Sequence, residues 1–149
     1  MDRRSRLGLS AFVQLHRPDY LRYARARLYD ESASEAAVEA AVAAFSGRWG
    51  DFLRNARPAA DAWRQLRGQI RAASGAGTGH DPAVERLYEV LPEETADAAL
   101  LRWRLSLAVE SVADLMGTDR PAVTVSLLTA RRRLSLTTLQ QLEHHASRP

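Results

Sequence analysis

The 149-residue sequence has no cysteine, no lysine, only four histidines and no long apolar run. Without cysteine there is neither a disulfide framework nor thiolate chemistry. The histidines are scattered, and His144 and His145 sit in a polar stretch after Glu143, so no metal-ligand spacing emerges. No apolar segment approaches the roughly 20 residues that a membrane span needs. The opening MDRRSRLGLSAF has arginines but no apolar core of signal type behind them. These absences lead to the expectation of a cytoplasmic protein with no membrane contact. Catalytic motifs are missing too: no carboxylate pair or Ser/His/Asp arrangement stands out. The GAGTG at 75–79 follows no strand and so reads as a linker rather than a phosphate loop. No enzyme activity, catalytic residue, cofactor or metal is expected.

What is present is helical patterning. Hydrophobic residues make up 46% of the chain, enough for one ordinary domain or two small ones, and they recur at three- and four-residue spacing with almost no strand signal. The fold class is therefore all-α. A first helix is expected from Ser10 to Leu28, with Pro18 marking a kink or restart. A second starts at Ser32, which has capping-box spacing to Glu35, and runs to about Phe45. A third starts near Pro58 and points Trp63, Leu66 and Ile70 inward, with Trp49 and Phe52 filling space beside it; the three tryptophans read as packing residues.

The glycine-rich run from Ser74 to Gly79 then divides the chain. The expected organisation is a helical domain at 8–73, a linker at 74–81 and a second helical domain at 82–142. In the second domain Asp81 can cap a helix that runs from Pro82 to Val90, and Leu91-Pro92-Glu93 opens another that ends near Arg104. Two further helices are expected at about Leu107 to Met116 and Pro121 to Leu136, with a polar tail after Glu143.

In LAVESVADLMGTDRPAVTVSLLTARRRL, two short helices flank Gly117, each with an apolar stripe. Val109, Val112, Ala113 and Met116 form the first; Val123, Leu127, Ala130 and Leu134 form the second. Ala113 permits close approach, and Gly117 can take the positive φ that ends a helix. This is the spacing of a helix-turn-helix, and it is equally that of an αα-hairpin in a bundle that binds no DNA. The formal charge of +3 is too small to argue for nucleic acid by itself, so the case rests on the clusters Arg3 to Arg27 and Arg131 to Arg133.

The stretch from Leu91 to Leu134 resembles region 4 of the bacterial sigma-70 family, in particular its short extracytoplasmic-function type. The resemblance rests on Leu91-Pro92, Leu101-Arg102-Trp103, the Ala113-to-Gly117 turn, Val123, and Ala130-Arg131 through Leu134. FVQLHRPDYLRYARARLYDESASEAAVEAAV and the later AWRQLRGQI resemble region 2 of the same family. The resemblance implies a dissociable subunit of RNA polymerase core, with region 2 holding the polymerase clamp and the −10 promoter element and region 4 reading the −35 element while touching the polymerase flap. It also implies that Glu35 and Glu39, the carboxylates left on the second helix, face the polymerase. The DNA-facing set would be Arg120, Thr124, Val125, Leu128, Thr129, Arg131, Arg132 and Arg133.

Two departures from the family pattern bear on this. The outward face of the last helix carries Pro121, Val125, Leu128 and Thr129 where the family has mostly basic and polar side chains. Base edges are read chiefly by Arg, Lys, Asn or Gln, so weak sequence readout is expected, with the arginines setting register on phosphate. The second helix carries Ala36, Ala37 and Ala40 where the family has acidic and amide groups. The alternative is a sigma-like protein-interaction module that binds a partner or anti-sigma protein through Val125 and Leu128 without reading DNA sequence.

Overall fold

A computed structural model of the chain describes residues 2–54, 57–74 and 81–146, the side chains of 144–146 excepted. Every regular element among the described residues is helical, and no helix among them is long and apolar enough to cross a membrane. Contacts divide the chain into two compact units, Met1–Gly79 with Leu115–Gly117, and His80–Asp114 with Thr118–Pro149. Of the stretch read as a linker, residues 75–80 lie outside the described residues.

In the first unit, helix α1 spans Arg3–Leu28. It begins at Arg3 rather than Ser10 because Asp2 caps it, its carboxylate accepting the Ser5 amide at 2.7 Å. The helix does not restart at Pro18, which sits inside it at an exposed position. It ends where Tyr29 turns left-handed, φ 53°, and donates its amide to the Arg25 carbonyl at 2.9 Å.

Helix α2, Glu31–Ser46, is capped by Asp30 and not by Ser32. Asp30 accepts from the Ala33 amide at 2.7 Å, and its carbonyl takes the Ser34 hydroxyl at 2.6 Å. A full negative charge at that position satisfies an orphan amide better than a serine two residues on, which lies exposed on the first turn. The buried Ala37 and Ala41 give α2 a narrow face. It packs on α1 and on α4, Pro58–Ala73, with the short α3, Trp49–Arg54, alongside.

The core of this unit is aromatic. Tyr23 meets Trp63 at 4.5 Å between ring centroids, Phe12 meets Trp49 at 5.3 Å, and Phe45 meets Phe52 at 6.0 Å. Trp63, Leu66 and Ile70 are buried along α4, as the periodicity requires. Tilted contacts of this kind add to the area that the rings bury.

In the second unit, α5 spans Pro82–Val90, with Asp81 accepting the Ala83 amide at 3.1 Å. Helix α6, Glu93–Ala99, widens into a π-helical turn over Leu100–Arg104, closed by a Leu105 amide to Leu100 carbonyl bond of 3.1 Å. The extra residue per turn rotates the chain so that Leu100, Leu101, Trp103 and Arg104 all turn inward. Arg104 thereby reaches Asp81, at 2.9 Å to one carboxylate oxygen and 3.1 Å to the other. Asp97 is also fully buried and accepts from the Tyr88 hydroxyl.

Helices α7, Val109–Met116, and α8, Arg120–Arg133, follow. The last expected helix stops at Arg133 rather than Leu136, and a further helix follows it: Leu134 turns extended, and α9 runs over Leu136–Ala146. The Ser135 hydroxyl accepts the Thr138 amide at 3.2 Å, and Leu142 is wholly buried. α9 packs on the π-helical turn and on α5, so it belongs to the core of the second unit.

Candidate nucleic-acid interface

The turn into α8 is built as its sequence demands. Gly117 has φ +71°, and the Thr118 amide donates to the Ala113 carbonyl at 2.9 Å, ending α7 with a left-handed residue that favours glycine. Asp119 then caps α8, accepting the Ala122 amide at 2.9 Å. Val123, Ala130 and Leu134 are buried and Leu127 is half-buried, so the expected inward stripe fixes the rotation of the helix. Its chief packing partner is α6.

With that rotation fixed, the outward residues can be placed one by one. Val125 is 63% exposed and Leu128 50%, an apolar strip left in solvent. Thr124 is exposed, but its hydroxyl donates to the Arg120 carbonyl at 3.0 Å, which commits its proton to its own helix. Thr129 is half-buried at the edge of the strip. Arg120 pairs with Glu110 at 2.9 Å, with both side chains exposed, so its charge is already met. Arg131 is exposed and lies 5.4 Å over the Trp103 ring, a cation–π contact that ties it to its own unit. Arg132 and Arg133 are exposed at the C-terminal end of α8, where the helix dipole also favours positive charge.

The arrangement therefore gathers all eight residues of the DNA-facing set on one helix but does not make them equivalent. Arg132 and Arg133 can meet an anion at the least cost. Arg120 and Arg131 would have to loosen a contact first, and Val125 and Leu128 offer only apolar surface. Glu110 escaped the sequence reading, because no local spacing rule links it to a residue on the next helix. Trp103 was read as packing, and it packs, but it also holds Arg131.

Glu35 and Glu39 are exposed on α2, one turn apart. Glu39 is paired with Arg17 of α1. Glu35 lies beside a second α1–α2 pair, Arg25 with Glu31, bonded through both nitrogens at 2.7 and 2.6 Å. The Arg25 guanidinium holds the Glu31 carboxyl below its ordinary range, and a hydrogen bond with Glu35 adds to the effect. These carboxylates thus help fasten α1 to α2. Among the described residues no group of histidine, aspartate and glutamate side chains could hold a metal ion.

No family model, no curated protein and no solved structure matches this chain.

Proposed function

We propose that the chain is a sigma-like transcription factor with two helical domains joined by a glycine-rich linker, which binds RNA polymerase core and lays α8 on promoter DNA. It acts without catalysis of its own. The observation that carries this is the pair Arg132 and Arg133, exposed at one end of a helix whose rotation is fixed by buried Val123, Ala130 and Leu134. Two guanidinium groups on a rigid helix suit phosphate. The rest of the face reads bases poorly, so promoter choice comes mainly from the polymerase complex and from DNA shape.

Fluorescence anisotropy with promoter-like duplex, measured with and without bacterial RNA polymerase core, tests the proposal. Binding that is salt-dependent alone and tighter in the presence of core supports it; no binding at low salt in either state rejects it. A second reading, a module that captures another protein, is favoured by one observation, the exposure of Val125 and Leu128 on an ordered helix.

A further inference from the structure

All three large hydrophobic residues exposed in the second unit, among the described residues, lie on α8 or at the residue that opens α9: Val125, Leu128 and Leu136. Val125 and Leu128 straddle the midpoint of α8, Arg120–Arg133. A twofold axis through that midpoint, running two copies of α8 antiparallel, sets Val125 of each copy against Leu128 of the other. It overlaps the two helices over their full length of about 20 Å.

The charges around this centre complement themselves in the same register. One end of α8 carries Arg132 and Arg133; the other end adjoins Asp119 and Glu110, the latter beside Arg120 at 2.9 Å. Antiparallel pairing brings Arg132 and Arg133 of each copy to the end of the other that holds two carboxylates, Asp119 and Glu110, against one guanidinium, Arg120. Attraction therefore outweighs the Arg133–Arg120 repulsion, and the pairing also opposes the two helix dipoles. A parallel pairing would instead stack arginines on arginines.

We infer that α8 is a self-association surface and that its occupant is a second copy of this chain, paired antiparallel about Val125 and Leu128. Two helices of this length bury less than the roughly 1,200 Å² of a stable standard interface, so the dimer is weak and reversible. It covers the face that the proposed function gives to DNA, so the two occupants compete. The inference does not depend on DNA binding and is tested without DNA.

Sedimentation equilibrium of the full chain at low salt gives a reversible monomer–dimer equilibrium in the micromolar range. Val125→Asp with Leu128→Asp leaves a monomer whose helical circular dichroism is unchanged. Arg132→Glu with Arg133→Glu, at exposed positions, weakens the dimer by about tenfold, and this variant decides the matter if the first fails to fold. Since the chain has no cysteine, mixing Val125→Cys and Leu128→Cys proteins reads the direction directly, with the mixed disulfide exceeding either symmetric one. A parent chain that stays monomeric throughout, a dimer indifferent to both double variants, or a preference for symmetric disulfides would each overturn the inference.

Discussion

Asp81 and Arg104 form an ion pair with side chains only 13% and 7% exposed, and the same Asp81 carboxylate caps α5. One acid thus does two jobs: it satisfies an amide at the start of the second unit and meets a buried guanidinium from the π-helical turn. Asp81→Ala removes both. Breaking a buried pair leaves an uncompensated charge, and losing a cap adds to the loss, so destabilisation of about 3 kcal/mol or more is expected. Urea denaturation followed by circular dichroism measures it, and an unchanged midpoint would contradict the pairing.

The start of α2 separates two candidate caps. Asp30→Ala should destabilise the first unit by about 0.5 to 2 kcal/mol, because the Ala33 amide loses its acceptor. Ser32→Ala, at an exposed position on the first turn, should stay within about 0.5 kcal/mol of the parent. Thermal melts of the two variants check this, and the reverse order would restore Ser32 as the cap.

The Arg25–Glu31 pair gives a pH dependence of definite sign. A carboxyl whose folded pKa is lowered contributes stability above its unfolded value, here about 4.5, and loses it as the pH falls through the lower folded value. The α1–α2 junction should therefore loosen only below about pH 4.5. Both groups are exposed, so the contribution is small. An NMR titration should show Glu31 below its ordinary range in the parent chain and close to it in Arg25→Gln. Glu31 titrating normally in the parent would show that the pair does not persist in solution.

Periodicity made the buried stripes legible: Trp63, Leu66 and Ile70 on α4, and Val123, Ala130 and Leu134 on α8, follow from apolar spacing alone. Starts and stops were less legible, because they turn on single capping atoms. Asp2 and Asp30 each offer a charged acceptor just ahead of a helix, and the sequence reading favoured Ser10 and Ser32. Helix α9 was missed although Leu139 and Leu142, half-buried and buried, stand at helical spacing behind Ser135. Polar neighbours and two histidines hid an apolar stripe that needs α5 and the π-helical turn to bury it. The π-helical turn has no sequence signature of this kind, and with it went any notice of the Arg104–Asp81 pair. On α8 the outward face was legible by residue type. The unequal freedom of its arginines was not, since it depends on Glu110 and Trp103 from other elements.

The central claim is that Arg132 and Arg133 bind DNA phosphate, and the slope of log affinity against log salt tests it most directly. Each phosphate contact contributes about 0.9 to that slope on duplex DNA. For the chain bound to promoter-like duplex, Arg132→Ala with Arg133→Ala should flatten the slope by roughly 2 units, whereas Arg131→Ala, whose guanidinium is held over Trp103, should change it by less than 1 or so. Equal slopes in the parent and in the Arg132→Ala, Arg133→Ala variant would contradict the account.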